Sequence, residues 1–142
     1  MFFRSKRLII RKFSIADLDA LSALFANKEV MHFSLHGRLS TLKSSDSLGY
    51  AGLMSQSIDG EDLIELGDRL DPKYWGKGLA SEAANMISRY AFDRFHLDQI
   101  IAIIDPKNTR SVGAAFRIGM RYWKDSFFHN IPVQIYVCKR NS

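Results

Sequence analysis

The stretch best suited to chemistry is Leu70-Asp-Pro-Lys-Tyr-Trp-Gly-Lys-Gly-Leu-Ala80. A strand-like run enters it and a helical pattern leaves it, so a strand stops, the chain turns on Gly76 and Gly78, and a helix begins. Such a turn leaves several backbone N–H groups without partners at a helix N-terminus. With the helix dipole they make a site for an anion, and a phosphate suits it best. Lys73 and Lys77 add positive charge. The plainer reading is a strand-to-helix turn that uses glycine only for its geometry, and composition alone does not separate the two. A Walker loop needs Gly, four residues and then Gly-Lys-Ser/Thr, a spacing this segment lacks. A dinucleotide fingerprint needs a third glycine where Ser81 stands.

The elements that must position this turn follow from periodicity. Leu8 to Phe13 reads as a strand. Ser14 then caps a helix with Ile15, Leu18, Leu21, Leu24 and Phe25 at helical spacing, fading near Asn27. His36 to Ser47 is polar, with Gly37 and several serines, and reads as a loop. Leu48 to Gln56 and Leu63 to Leu70 read as strands joined by a hairpin turn at Asp59-Gly60. In the second, Ile64 and Leu66 share one face, and Glu65, Gly67 and Arg69 the other. Leu79 to Phe95 is the longest helix, with Leu79, Ala83, Ile87, Tyr90, Ala91 and Phe95 as its buried stripe. Ile100 to Ile104 reads as a strand buried on both faces. Asn108 caps a short helix that Gly119 closes. Two strands, Tyr122 to Phe128 and Val133 to Lys139, end the chain. Strand 63–70, helix 79–95 and strand 100–104 form a parallel, right-handed βαβ unit. The fold class is α+β (mixed α/β), a central mixed sheet with flanking helices.

Length and composition bound the remaining classes. The 142 residues suit one domain able to bury its own core. The single cysteine, Cys138, excludes a disulfide framework, and no histidine has ligand spacing, so no metal site is expected. No apolar run is long enough to span a bilayer, and residues 1–7 lack the pattern of a signal peptide. The expectation is a cytoplasmic protein with no membrane partner. The formal net charge is +5, but the Lys and Arg residues are scattered, so a nucleic-acid partner is not expected.

The Trp75-Gly76-Lys77-Gly78-Leu79-Ala80 turn resembles the acetyl-coenzyme A pyrophosphate loop of GNAT-superfamily N-acetyltransferases, Q/R-x-x-G-x-G/A. The longer run from Glu65 to Ala83 is similar to the RimJ/RimL-like branch, which acetylates N-terminal amines of ribosomal proteins and commonly has Trp in place of the Arg/Gln. Arg7-Leu-Ile-Ile-Arg-Lys-Phe13 resembles that branch's first strand, and Asn27-Lys-Glu-Val-Met31 the end of its first helix. Asp105-Pro-Lys-Asn-Thr-Arg-Ser111 resembles its D/H-P-x-N-x-x-S segment, and Ile118-Gly-Met-Arg-Tyr122 its I/L-G-F-x-Y. The resemblance implies acetyl transfer from acetyl-coenzyme A, as co-substrate, to a primary amine on a protein N-terminus or a small molecule. It implies that the backbone of Arg69 and Leu70 binds the pantetheine arm. Trp75, Gly76, Lys77, Gly78, Leu79 and Ala80 would hold the pyrophosphate, and Asn108 would touch the cofactor arm. Glu65 would be the base and Ser111 the donor to the departing thiolate, since the protonated amine must lose a proton and the leaving sulfur needs a hydrogen bond.

Two departures go with the resemblance. Asp68 stands where the family usually has Tyr. Relatives also carry a second helix and second strand after the first helix, where this sequence offers only the polar stretch before Leu48. That reads as a deletion on the acceptor side. It keeps open an alternative, a relative that binds acyl-coenzyme A or a protein partner without turnover. With its usual partner missing, the first strand would pair directly with Leu48 to Gln56 or leave an open edge. An open edge would favour self-association, as in a homodimer, and a wide, unselective acceptor cleft.

Overall fold

The computed structural model describes residues 2–4, 6–11, 33–41 and 47–140. The strands are β1 (Phe2–Arg4), β2 (Leu8–Arg11), β3 (Phe33–Thr41), β4 (Ser47–Ile58), β5 (Glu61–Leu70), β6 (Gln99–Ile104), β7 (Arg121–Phe128) and β8 (Ile131–Lys139). The described helices are α1 (Leu79–Phe95), between β5 and β6, and α2 (Thr109–Arg117), between β6 and β7. The strands form one mixed sheet in the order β1-β2-β3-β4-β5-β6-β8-β7. β5 and β6 run parallel, as the crossover through α1 requires, and the other neighbours are antiparallel.

The main core lies between the helices and one face of the sheet. Leu79, Ala83, Ile87 and Ala91 of α1 meet Leu8, Leu53, Leu66, Leu70, Ile100 and Met120 there. Phe95 departs from the expected stripe. It stands 49% exposed in the last position of α1, edge-on to Tyr90. On the opposite face Ile58, Leu63, Ile101, Val133 and Ile135 form a smaller cluster. β6 therefore feeds both cores, which accounts for its unbroken apolar run. The hairpin between β4 and β5 turns on Asp59 and Gly60, both at positive φ (52° and 80°) as a tight turn demands. The Asp59 carboxylate also takes Ser126 Oγ at 2.7 Å and Lys124 Nζ at 2.8 Å, tying that hairpin to β7.

The polar stretch after residue 36 is not a loop. Phe33–Thr41 is a full strand, bonded to β2 on one side and β4 on the other. Gly37 and the serines disguised it, because pairing on both edges supplies what their low strand propensity withholds. The deduced loss of a second strand is thereby corrected. So are both fates assigned to the first strand: β2 pairs with neither β4 nor solvent, lying between β1 and β3. The case for self-association from an orphaned strand falls with it. The helix expected from Ser14, and any further helix before β3, lie outside the described residues.

Candidate active site

β5 pairs with β6 at Glu65↔Ile101. Beyond that register both strands line a cleft of about 990 Å3. The first turns of α1 and α2 both line it, so two positive helix ends share one space. The volume suits a sizeable cofactor.

The turn into α1 is built residue by residue. Asp71 accepts the Lys73 N–H at 3.2 Å and starts a single turn of 3-10 helix, Pro72–Tyr74, with proline where no N–H is needed. Gly76 and Gly78 then take positive φ (79° and 75°), and Gly78 caps α1, its carbonyl accepting from Glu82 at 3.1 Å. A Cβ on Gly76 would meet nothing within 4 Å, so its demand is conformational. Arg7 braces this turn from outside. Its Nη1 donates to the Lys77 carbonyl at 2.9 Å, its Nε pairs with Glu82 at 2.7 Å, and its backbone N–H donates to the same carboxylate at 2.8 Å. With the Lys77 carbonyl turned to Arg7, its side chain takes no part in the cleft lining. Its ammonium lies 5.9 Å from the centre of the Tyr74 ring.

The cleft also tests whether a phosphate fits. The first N–H groups of a helix have no partner within it. In the first turn of α1 the Ser81 hydroxyl is buried without any hydrogen-bond partner, and Ser81 lines the cleft. A buried orphan of this kind beside free amides wants an oxygen-rich ligand. In the same cleft Trp75 donates its indole N–H to the Leu70 carbonyl at 3.0 Å. The Arg110 guanidinium lies flat on the indole, 3.2 Å from the ring centre.

The other expected residues are distributed as follows. Gly76, Gly78, Leu79 and Ala80 line the cleft with Trp75. Arg69 and Leu70 line it too, but the Arg69 carbonyl is aimed at β4, where a Cβ on Gly49 would strike it, and the Leu70 carbonyl holds Trp75. Asn108 caps α2, its side-chain oxygen accepting the Ser111 N–H at 3.1 Å, and both residues face the cleft. Glu65 lines the cleft too and is half-buried. Burial pushes its carboxyl up to about 7, and a 3.0 Å hydrogen bond from the Gln56 amide pulls it partly back. Asp68 reaches solvent at the open cleft yet is ringed by protein. The loss of bulk water pushes it up to about 6, with the nearby Arg110 charge opposing. Arg7, Ser81 and Arg110 carried no signal in the sequence: each reads as an exposed residue beside an element end.

Residues 36–121, more than half of the chain, match the acetyltransferase (GNAT) domain family. The chain belongs to the GNAT acetyltransferases. Among GNAT relatives it is 30% identical to the N-acetyltransferase YnaD of Bacillus subtilis, itself uncharacterized, over 90% of this chain and 86% of that protein. It is 33% identical to the uncharacterized YkkB of the same organism over 66% of this chain, and that match spans 55% of YkkB. A GNAT-family acetyltransferase structure from Bacillus anthracis superposes with a TM-score of 0.78 at 26% identity, covering 100% of both chains. The mixed sheet with flanking helices is thus the GNAT fold. Among the described residues no group of His, Cys, Asp and Glu could hold a metal ion, and no helix is long and apolar enough to cross a membrane.

Proposed function

We propose that the chain transfers the acetyl group of acetyl-coenzyme A to a primary amine by direct attack. The observation that carries this reading is continuity. One cleft is lined both by the glycine turn with Ser81 and by Glu65. The amides of residues 76–80 and the Ser81 hydroxyl are suited to the pyrophosphate. The edge of β5 suits the pantetheine arm, and Asn108 fixes the start of α2 beside it. Bound there, the co-substrate supplies an activated acyl group as a thioester. Glu65, with its carboxyl near neutrality, takes the proton from the incoming ammonium, directly or through water. Ser111 offers a hydroxyl to the sulfur that departs.

The acceptor is a protein N-terminus or a small amine, and the run from Glu65 to Ala83 favours the RimJ/RimL-like branch. A relative without turnover drew its support from an absent second strand, and β3 removes that support. The test is release of free thiol from acetyl-coenzyme A, with and without a panel of peptides bearing free N-termini and small primary amines. Amine-dependent release is expected. Binding of coenzyme A with no such release across the panel would favour the non-catalytic reading.

A further inference from the structure

Trp75 brings no charge to a turn that faces an anion, yet a charge lies directly on it. The Arg110 guanidinium stacks 3.2 Å from the indole centre. The indole N–H donates to the Leu70 carbonyl at 3.0 Å, which orients the ring beneath the guanidinium. Stacking uses the flat face of an arginine and leaves its N–H groups free around the edge. No described residue accepts a hydrogen bond from those groups. Arg110 lines the same cleft as Gly76, Gly78 and Ser81, whose hydroxyl is unpartnered. A fork of free donors and a buried orphan hydroxyl thus line one cleft. That geometry matches phosphate, whose oxygens accept bidentate arginine bonds.

We propose that Arg110 is a phosphate ligand of the cofactor, and that Trp75 acts as the stacking platform that aims it. The positive charge of the loop then comes from the first turn of α2 and not from the loop's own side chains. Asp68, whose carboxylate the same guanidinium influences, competes for Arg110 when the phosphate is away. This proposal rests on the cofactor reading of the cleft.

The experiment is calorimetric titration of coenzyme A and of dephospho-coenzyme A, which lacks the 3′-phosphate, into the parent, Arg110→Gln, Arg110→Lys and Trp75→Leu. Melting curves should show each variant folded. Arg110→Gln is expected to weaken coenzyme A at least about tenfold, as loss of a charged hydrogen bond does. Arg110→Lys should recover part of the loss by charge alone. Trp75→Leu should weaken binding too, and in combination with Arg110→Gln should add less than its own effect. If the Arg110→Gln loss disappears with dephospho-coenzyme A, the partner is the 3′-phosphate; if it persists, the partner is the pyrophosphate. Arg110→Gln binding within about twofold of a parent that does bind coenzyme A would overturn the proposal and leave the cofactor site standing. A parent that binds no coenzyme A would overturn both.

Discussion

Replacing Glu65 by Gln separates catalysis from stability, because the same burial acts on both in opposite directions. With the parent carboxyl near 7, its ionised fraction rises about tenfold between pH 6 and pH 8. Glutamine keeps the size and can keep the bond to Gln56, but it takes no proton. The ratio of parent to variant kcat/KM is therefore the readout, since titration of the acceptor amine cancels in it. That ratio should climb about tenfold over this range and level off at about 10² or more. Stability should respond the other way. The folded carboxyl holds its proton more tightly than the unfolded one, whose value lies near 4.5. The parent therefore loses stability as pH rises from about 4.5 to about 7, and pays the full cost only above that window. The whole shift corresponds to about 3 kcal/mol, and residual solvent contact reduces it to about 1–3 kcal/mol. Glu65→Gln should be more stable than the parent by that amount at pH 8 and equal to it at pH 4. Urea melts at both pH values, beside pH–rate profiles with acetyl-coenzyme A and one fixed amine, measure the two effects. A parental rate across pH would refute Glu65 as the base. A variant whose stability tracks the parent's at both pH values would refute burial as the cause of the raised carboxyl.

Two other substitutions probe the frame of the site. Gly78→Glu forces a side chain into a φ of 75° with its Cβ 3.5 Å from Arg7 Nη2, so its carboxylate competes for the arginine that braces the turn, and it should weaken coenzyme A binding at least about tenfold in calorimetry while the fold survives; parental affinity would put the site elsewhere. Gly49→Ala should cost about 2–4 kcal/mol in a urea melt, because Gly49 is buried, holds φ 150°, and would drive its new methyl into the Arg69 carbonyl. A loss under about 1 kcal/mol would mean that β4 and β5 can part at little cost.

What the sequence disclosed depended on how local the signal was. Helix 79–95 was legible to its ends, because Gly78 punctuates its start and the apolar stripe has helical period. The Asp59-Gly60 and Asn108 signals were legible for the same reason: a turn at positive φ and an N-cap are decided by a few neighbouring atoms. β3 was not legible, because its pairing with β2 and β4 decides it, while its own Gly37 and serines carry little strand signal. The site divides along the same line. Gly76 and Gly78 announce a tight turn onto a helix start by themselves, the geometry an anion site needs. Arg110 and Ser81 look like ordinary first-turn helix residues, and only the right-handed crossover from β5 through α1 to β6 sets one helix start opposite the other. Arg7 shows the point most sharply. It precedes β2, far from the turn in sequence, yet it holds the Lys77 carbonyl away from the cleft and fixes Glu82 in the first turn of α1. The glycines make an anion site permissible, and what aims its amides is a contact that no local reading of the chain could contain.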